Sequence, residues 1–421
     1  MKHGGGPAGR PCQIADNLMW AGTRVSAPAE KGMSSMVRGT KGIAVKGLIC
    51  GVLFLFLGGV APSPCPARVS KEMKCSVCHT MHNSQAGEPM AYEYSGGAFD
   101  PKTTPNVNLL VTDCVGCHTA LDGSTWKDGV TGAPIVFNTA QPNYGADAGD
   151  GKHVGLAAGN FYWVTQDQSF GHDIFTRDPK YTTAPGRFAV GCDADTDCHS
   201  TLTYVGAPCA HCRTLSPCGN CHMVTGDASN PSNVKWHHRD DSGPVIDSVE
   251  EGWYRFIAGH NWGDGYGAAG IEDPDWEHSP SSTVHNEYLG YEDNKKNYDG
   301  GFAQTPANTV SAFCMGCHNE FHHQDESTSG ASPWLLHPSD AEIPNSGEYT
   351  GYTTYDPLAP VARPSLSSVS PTVTPGQDLV FCLSCHRAHA GPYYKMLRWD
   401  ITSSNLATAL QGCSVCHTAK Y

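Results

Sequence analysis

Hydrophobic and polar positions along this chain show no sustained period of 2 or of 3.6 in any long segment. Half-buried strands and amphipathic helices require those periods. Glycine and proline, which number 47 and 29 in 421 residues, interrupt the apolar positions throughout. The pattern therefore predicts a mostly irregular backbone with short helices near the cysteine motifs described below and few strands.

One apolar run stands apart from this pattern near the N-terminus. The run GLICGVLFLFLGGV, residues 47–60, follows the basic residues Arg38, Lys41 and Lys46 and precedes small residues and prolines. That order is typical of a secretory signal peptide, and the run is too short to span a bilayer comfortably. We expect residues 1–67 to be an extension and signal peptide that is removed. Residues 68–421 would then form an exported single domain without a transmembrane segment.

The charge balance restricts the kinds of partner that the chain can have. The formal net charge is −14. An acidic chain is not attracted to nucleic acid. Acidic copies of one chain also repel each other, so any self-association requires specific contacts or ligation.

Six copies of the sequence Cys-x-x-Cys-His are distributed along the chain. They are Cys75/Cys78/His79, Cys114/Cys117/His118, Cys218/Cys221/His222, Cys314/Cys317/His318, Cys382/Cys385/His386 and Cys413/Cys416/His417. This motif attaches c-type haem: the two thiols bond to the porphyrin and the histidine binds the iron as its proximal ligand. Structural zinc sites and disulfides do not require a histidine after each second cysteine.

The six motifs predict a multihaem cytochrome c organised around a chain of stacked haems. Each haem would supply apolar surface that a sparse set of hydrophobic side chains does not provide. Long intervals separate the motifs into N-terminal, central and C-terminal groups. We expect an insertion or lobe boundary near residues 240–311.

A cysteine-dense segment in the centre of the chain has three interpretations. Cys192, Cys198 and His199 form an expanded motif with five residues between the thiols, which would attach a seventh haem if the loop bulges away from the porphyrin. Alternatively, Cys192, Cys198, Cys209 and Cys212 form two disulfides, which an oxidising compartment permits. A zinc site from Cys198, His199, Cys209 and Cys212 is a third interpretation.

Histidines outside the motifs outnumber the haems that need a second axial ligand. Two imidazoles on one iron give a six-coordinate centre suited to one-electron transfer. No Cys-x-x-Cys-Lys motif, which would indicate a nitrite-reducing haem, is present. The sequence by itself leaves open the roles of His153, His211, His237, His238, His260, His278, His285 and His323.

Several phrases resemble the filament-forming extracellular multihaem cytochromes of metal-reducing bacteria. They are KCSVCHTMHNS at 74–84, GHDI at 171–174, TTAPG at 182–186, CMGCHNEFH at 314–322, LHP at 336–338, CLSCHRAHA at 382–390 and the terminal CSVCHTAK. The phrases run from the first motif to the C-terminus in the family's order, and the intervening segments resemble it weakly or not at all.

The resemblance implies specific ligands and a mode of assembly. The distal iron ligands that it implies are His82, His172, His322, His337 and His389. In the family, the histidine at the position of His82 ligates a haem of the neighbouring subunit, which joins subunits head to tail into filaments. The centre departs from the family's pattern, because the family has a single attachment motif after TTAPG.

These observations favour an electron-transfer protein rather than an enzyme. The leading hypothesis is a polymeric extracellular or cell-surface conduit that exchanges electrons with other redox proteins or external acceptors. One alternative is a reductase for nitrite, hydroxylamine or sulfite, which needs one haem with an open axial position. A second alternative is a monomeric periplasmic shuttle.

Overall fold

The computed structural model describes sixteen stretches of the chain, all within one compact unit that comprises residues 1–12 and 65–421. A second unit, residues 13–64, contains no described residue. The described residues are 74–80, 84–85, 87–95, 98–103, 106, 109–142, 155–175, 185, 217–222, 236–238, 243–248, 250–257, 267–291, 308–315, 318 and 337–420. The predicted signal peptide and the segment 192–212 lie outside them.

Helices in the described part of the chain are short, and most lie at or beside the cysteine motifs. The α-helices are α1 Cys114–Cys117, α2 Tyr162–Gln166, α3 Val310–Met315, α4 Cys382–Cys385, α5 Leu406–Ala409 and α6 Cys413–Cys416. Turns of 3-10 helix span Cys75–Val77, Gln168–Phe170, Pro217–Asn220, Trp236–His238, Tyr254–Phe256, Gly347–Tyr349 and Tyr394–Met396. Most of the remaining backbone is irregular, which confirms the predicted fold class. No helix among these residues is both long and apolar enough to cross a bilayer.

Strands are also short and belong to four separate sheets. They are β1 Ser84–Gln85, β2 Glu88–Pro89, β3 Tyr92–Ser95, β4 Ala98–Pro101, β5 Thr119–Ala120, β6 Phe137–Asn138, β7 Gly270–Ile271, β8 Glu287–Leu289, β9 Ala341–Glu342, β10 Ala362–Arg363 and β11 Leu379–Val380. The pairs β1/β2, β3/β4 and β5/β6 are isolated two-stranded ladders. The pair β5/β6 is parallel and the other two pairs are antiparallel.

The largest sheet has five strands in the order β7, β8, β10, β11, β9. Strands β8 and β10 pair in parallel, with Ala362 opposite Tyr288, and the other neighbours are antiparallel. The segment 240–311, expected to be an insertion or lobe boundary, thus contributes two strands to a sheet whose other strands lie after residue 340.

Three hydrophobic clusters lie among the described residues. The first comprises Tyr254, Ala268, Tyr288, Val310, Ala362, Leu379 and Phe381. The second comprises Phe137, Phe161, Val164, Ile174 and Ala390. The third comprises Ile343, Tyr352, Tyr355, Val361 and Val373. Motif residues pack against all three clusters: Cys314 on the first, Cys218 on the second and Cys416 on the third.

A buried ion-pair network braces the five-stranded sheet. Nε of Arg363 lies 2.7 Å from Oε2 of Glu287, and its Nη1 lies 2.6 Å from Oδ2 of Asp378. Glu287 is on β8, Arg363 is on β10 and Asp378 directly precedes β11, so the network joins three neighbouring strands. Because charges without partners are costly in a protein interior, these three residues depend on each other.

Candidate haem-binding sites

All six Cys-x-x-Cys-His motifs form the same local turn. In each, the backbone N–H of the histidine donates to the carbonyl oxygen of the first cysteine, four residues earlier. The N···O distances are 2.8 Å at His79, 3.0 Å at His118, 2.9 Å at His222, 3.0 Å at His318, 3.2 Å at His386 and 2.9 Å at His417. One helical turn therefore fixes the relative positions of cysteine and histidine in every motif. We number these sites 1 to 6 in chain order.

Sites 1 and 3 differ from sites 2, 5 and 6 in where the helix ends. The 3-10 turn Cys75–Val77 stops before Cys78, and the 3-10 turn Pro217–Asn220 stops before Cys221, whereas an α-helix contains both cysteines at sites 2, 5 and 6. The backbone N–H of Cys78 or Cys221 donates to the first cysteine of its motif, at 3.2 Å and 3.1 Å, in the i to i+3 pattern of a tighter turn. The short helices expected near the motifs are thus present at both sites, as 3-10 turns that end before the second cysteine.

The motif cysteines are accessible to a porphyrin to different degrees. Cys75 is exposed, and the other described members are partly buried: Cys78, Cys114, Cys117, Cys218, Cys221, Cys314, Cys382, Cys385, Cys413 and Cys416. None of these eleven cysteines is joined to another in a disulfide. Covalent attachment of haem at each of them, Cys78 and Cys221 included, stays a prediction of the motif.

The Nδ1 atom of the motif histidine is hydrogen-bonded at sites 2 to 6. At sites 2 to 5 the acceptor is a backbone carbonyl oxygen: Pro134 for His118 at 2.8 Å, Arg255 for His222 at 2.8 Å, Pro185 for His318 at 2.8 Å and Lys395 for His386 at 2.9 Å. A proton held on Nδ1 fixes the tautomer and leaves Nε2 as the metal ligand. These rings are thus prepared to bind iron through Nε2.

Two of these carbonyl groups are presented by residues in the left-handed backbone region. Arg255 has a φ of 49° and Lys395 has a φ of 60°. Each is the middle residue of a 3-10 turn that starts with a tyrosine, and each places its cation over that tyrosine ring, at 5.7 Å and 5.2 Å. Non-glycine residues adopt this region at a cost. The turn therefore accepts backbone strain in order to direct the carbonyl group toward the histidine.

Site 6 differs from the others in its Nδ1 acceptor. Nδ1 of His417 lies 2.5 Å from Oε1 of Glu348, a carboxylate. The hydrogen bond from His417 holds the pKa of Glu348 below its usual value, with a further contribution from Lys420. Site 6 is the one site among these five in which the acceptor carries a negative charge.

Four motif histidines face a second imidazole ring across a gap. The ring centroids are 6.2 Å apart for His79 and His238, 6.1 Å for His118 and His237, 5.9 Å for His222 and His389, and 6.1 Å for His318 and His172. The interplanar angles are 24°, 25°, 68° and 45°. The same distance thus recurs in four pairs built from unrelated segments.

This separation matches two imidazoles bound to opposite faces of one metal ion. An imidazole nitrogen binds a transition metal at about 2.0 Å and the ring centre lies about 1 Å behind that nitrogen, so trans ligands place their centroids about 6 Å apart. Directly stacked rings lie closer together: those of His285 and Tyr355 are 3.5 Å apart. The residues present therefore fit a haem iron between each facing pair.

Burial favours the neutral imidazole at several of the proposed ligands, namely His118, His172, His222, His318, His386 and His389. It lowers the pKa of His118 and of His318 to about 4 and that of His389 to about 3, in each case as the largest cause. Burial is also the largest cause of the lowered pKa values of His172, His222 and His386. A neutral imidazole is the form that binds a metal.

The paired sites follow one another in chain order. His237 and His238 are consecutive and face sites 2 and 1, so a single 3-10 turn joins those two sites. After burial and His237, the nearby His222 of site 3 also lowers the pKa of His118. Site 3 is close to site 4 in turn, because the backbone N–H of His172 donates to the carbonyl oxygen of His389 at 2.9 Å.

The series continues to the C-terminus through the motif cysteines. The first cysteines of sites 4 and 5 are hydrogen-bonded to each other, which raises the pKa of Cys314 and lowers that of Cys382. Burial raises the pKa of Cys385 at site 5 to about 12, with contributions from Cys416 and Cys413 of site 6. Sites 1 to 6 thus form one continuous series.

The residues suggested by the resemblance have different positions in the structure. His172 and His389 face motif histidines, as described above. His337 is exposed, with Nδ1 3.0 Å from the carbonyl oxygen of Pro338, and it does not face another imidazole among the described residues. Also within the described part, neither His386 nor His417 has a facing partner of this kind. The predicted site residues outside the described ranges are His82, Cys192, Cys198, His199, Cys317 and His322.

His237 and His238 were left without a role by sequence reasoning. Neither lies in a phrase that resembles the family, and a double histidine is a weak signal. His278 and His285 have other contacts: the His278 ring stacks on Trp126 at 4.0 Å, and the His285 ring lies between Tyr355 and Glu287.

The described side chains offer facing imidazole ligands in pairs. Within these residues no group of three or more histidine, cysteine or acidic side chains is arranged to hold such an ion. The facing histidines occur in twos, as an iron inside a porphyrin requires. The alternatives for Cys192, Cys198, Cys209 and Cys212 fall outside the described residues.

Six attachment turns with the same closing hydrogen bond on a mostly irregular backbone define a multihaem cytochrome of the c type. In agreement, the family profile "Doubled CXXCH motif" matches residues 373–421, which contain sites 5 and 6.

Two solved structures from Geobacter sulfurreducens are similar to this chain: an outer membrane cytochrome S filament and OmcS nanowires studied by cryo-EM. Each is 18% identical with a TM-score of 0.40, and each match covers 85% of this chain and 100% of the other. No curated protein matches.

Proposed function

We propose that sites 1 to 6 bind six haems, each held by two histidines where a facing pair exists, and that the protein passes electrons along this series. The observation that supports the proposal most directly is the recurrence of four facing imidazole pairs at about the same centroid distance. Bound haem supplies a one-electron ferric/ferrous couple. The histidines would fix the orientation of each iron.

The two cysteines of each motif are the proposed points of covalent attachment. This includes Cys78 and Cys221, which lie just beyond a 3-10 turn but directly precede the ligating histidine as in the other motifs. The hydrogen bond that closes each turn from the histidine to the first cysteine is present at both sites, at 2.8 Å and 2.9 Å. The turn from the first cysteine to the histidine is therefore closed at sites 1 and 3 as it is in the other motifs.

The continuous order of the sites supports transfer through the whole chain. Electrons move between cofactors that lie close together. Sites 1 and 2 are joined by one 3-10 turn, and sites 4 and 5 are joined by a contact between cysteines. The other neighbouring sites lie close enough for a residue of one site to shift the pKa of a residue of the next. The protein's part is to set spacing, potential and insulation.

We propose further that the chain is exported and assembles head to tail through His82 into extracellular filaments that deliver electrons to external acceptors or other redox proteins. His322 and His337 are the proposed distal ligands for sites whose second ligand is not described. A seventh haem at Cys192, Cys198 and His199 belongs to the same proposal. A head-to-tail contact that does not close on itself generates a filament, and a metal bond can hold acidic subunits together despite repulsion.

Electron paramagnetic resonance of the oxidised protein tests the ligation. We expect only low-spin signals from the wild type and a new high-spin signal, equivalent to one haem, in His238→Ala. His278→Ala is the matched control, since the His278 ring stacks on Trp126. A wild-type protein with a large high-spin population that binds nitrite or cyanide rapidly would instead support the reductase.

Intact-mass analysis tests the stoichiometry. Seven haem additions in the mature wild type and six in Cys198→Ser would support the expanded motif. Six additions in the wild type, with four further cysteines protected as disulfides, would contradict the seventh haem and leave the six-site series intact.

Electron microscopy of secreted material tests the assembly. We expect His82→Ala to keep its other haems, to lose long filaments and to gain one five-coordinate haem per subunit. Filaments of normal length from this variant would contradict the role of His82.

A further inference from the structure

Glu348 holds the histidine of the last site through a charged acceptor. Its Oε1 atom lies 2.5 Å from Nδ1 of His417, and the two side chains are 24% and 21% exposed. At sites 2 to 5 the corresponding acceptor is a neutral backbone carbonyl. The same ligand type therefore has two different electrostatic environments in one molecule.

The backbone around Glu348 fixes this contact from both sides. The carbonyl oxygen of Glu348 accepts from the backbone N–H of Thr418 at 2.9 Å and from its hydroxyl group at 2.5 Å. Gly347, with a φ of +59°, starts the 3-10 turn that carries Glu348. A Cβ at Gly351 would lie 2.4 Å from Oγ1 of Thr418, so only glycine allows this close approach. The carboxylate is thus held against His417 by the fold.

A carboxylate acceptor changes the chemistry of a ligating imidazole. It draws the Nδ1 proton toward itself, which increases electron density on the ring and makes Nε2 a stronger donor to the metal. A stronger donor and a nearby negative charge both favour ferric over ferrous iron, because the ferric ion carries one more positive charge. A backbone carbonyl attracts the Nδ1 proton only weakly and adds no net charge.

We propose that Glu348 lowers the reduction potential of the haem at site 6 relative to the value that a carbonyl acceptor would give. This inference rests on the proposed function, in that it takes His417 to be the proximal ligand of a haem on Cys413 and Cys416. Glu348 is a positioning and tuning residue, since it acts through His417 and not on the iron directly.

The position of site 6 gives this tuning a consequence for electron flow. Site 6 is the last in the series, next to site 5. If the reduction potential of site 6 is about 59 mV below that of site 5, an electron shared by the two haems at equilibrium is found ten times more often on site 5. The carboxylate therefore creates an energy step at one end of the chain of haems. Lys420, whose Nζ is 3.7 Å from the same oxygen, moderates that step.

The substitution Glu348→Gln isolates the charge from the hydrogen bond. The amide oxygen of glutamine accepts from Nδ1 as a backbone carbonyl does, so the variant converts site 6 into the arrangement of sites 2 to 5. We expect a spectroelectrochemical titration of the full-length haem-loaded protein to show one component moved to higher potential. The ferrous to ferric ratio of that haem would rise by about tenfold at a fixed electrode potential. The other components would remain in place.

Two further readouts separate tuning from a structural effect. The low-spin g values of one haem should change in Glu348→Gln, and Glu348→Asp should retain much of the wild-type potential if its shorter carboxylate still reaches Nδ1. The matched control is Glu342→Gln, which removes an exposed carboxylate on β9 of the same region. A uniform movement of all components, reproduced by Glu342→Gln, would overturn the proposal because it would reflect net charge alone.

Lys420→Ala provides a second test that leaves His417 and Glu348 in place. Removal of the cation should move the same component to lower potential. If Glu348→Gln fails to retain its sixth haem, this variant decides: a downward shift supports the proposal and an unchanged titration overturns it. A wild-type mass without haem on Cys413 and Cys416 would instead refute the proposed function at site 6. Haem present with an unmoved potential in Glu348→Gln would refute the tuning alone.

Discussion

The region around site 1 and the sheet region are stabilised in different ways. The site 1 region, residues 74–112, has two isolated two-stranded ladders and a few buried side chains such as Met90, Ala91 and Val111. The sheet region, residues 267–291 and 337–420, has five paired strands, hydrophobic clusters and the Arg363 network. Short two-stranded ladders are not stable by themselves in water. Under the proposed function, the first region therefore depends on the haem of site 1, whereas the second has a core made of side chains.

The sequence distance to the facing histidine also distinguishes the site 1 region from the sheet region. In the proposed ligation, site 1 is completed by His238, which is about 160 residues away from His79 in sequence. Closing so long a loop costs conformational entropy, and the iron bonds must offset that cost. At sites 5 and 6, by contrast, motif residues Leu383 and Val415 pack directly against the first and third hydrophobic clusters.

The largest effect should follow from removing the first haem. In Cys75→Ser/Cys78→Ser, the site 1 region loses the apolar surface and the iron bonds that hold it. We expect hydrogen exchange of backbone amides in residues 88–95 and 109–112 to approach that of an unfolded chain, an acceleration of more than about a hundredfold for a local loss of about 3 kcal/mol.

The matched control is Cys413→Ser/Cys416→Ser at site 6. This variant should leave strands β8, β10 and β11 protected, because their core consists of side chains. Equal loss of protection in both regions from either double variant would contradict the comparison.

A smaller but still substantial effect is expected from Arg363→Met, which tests the sheet region without touching a haem site. The change leaves Glu287 and Asp378 buried without their cation, and breaking such a network costs about 3–5 kcal/mol. Denaturant unfolding followed by tryptophan fluorescence measures the loss. The triple variant Arg363→Met/Glu287→Gln/Asp378→Asn should recover part of it, because no buried charge remains unpaired. If the triple variant is less stable than Arg363→Met, charge pairing is not the cause.

Lowering the pH should change the stability of the sheet region by less than Arg363→Met does. Burial raises the pKa of Glu287, but hydrogen bonds from His285 and Arg363 outweigh it and hold the pKa below the usual value. A carboxyl group with a lowered pKa contributes stability that is present above its unfolded pKa of about 4.3 and is lost as pH falls through the folded value. The stability advantage of the wild type over Glu287→Gln should therefore shrink below about pH 4.

Asp378 supplies the control for this pH dependence. Burial raises the pKa of Asp378 above its unfolded value. The contribution of Asp378 to stability therefore has the opposite pH dependence and becomes more favourable as the pH falls. Comparison of Glu287→Gln with Asp378→Asn by denaturant titration at several pH values should show opposite slopes. Equal slopes would contradict the assignment.

The sequence predicted the attachment turns because their chemistry is local. A cysteine, a second cysteine and a histidine within five residues fix one turn, and the same hydrogen bond appears in all six motifs. The motif does not specify whether that turn is α-helical or 3-10, so the earlier helix end before Cys78 and Cys221 could not be read from the sequence. The irregular backbone followed from the abundance of glycine and proline.

The five-stranded sheet and the partners of sites 1 and 2 required long-range information. Strands of two or three residues are too short to show an alternating pattern, so β7 to β11 gave no recognisable signal. His237 and His238 reach sites 1 and 2 only because the chain folds back over more than a hundred residues. Glu348 also lies 69 residues from His417, and its spacing carries no motif.

The smallest effect should come from the turn at Lys395, where backbone and side chain can be separated. Lys395 has a φ of 60° and its carbonyl accepts from His386, so the backbone carries the function and the side chain adds strain. Glycine relieves a cost of about 1–2 kcal/mol for a left-handed residue but gives back up to about 1 kcal/mol in unfolded-chain entropy. We expect Lys395→Gly to be about 0.5 kcal/mol more stable than the wild type in denaturant unfolding, with an unchanged haem spectrum.

Lys395→Pro forces φ to about −65° and should therefore turn the carbonyl away from His386 and alter the spectrum of site 5. The comparable change at site 3, Arg255→Gly, should be less favourable than Lys395→Gly, because Arg255 also pairs with Glu272 at 3.2 Å. Equal spectra for Lys395→Gly and Lys395→Pro would show that the carbonyl group does not orient His386. If the spectra differ as expected, even in the region with a side-chain core the strained backbone serves the haem site rather than the stability of the sheet.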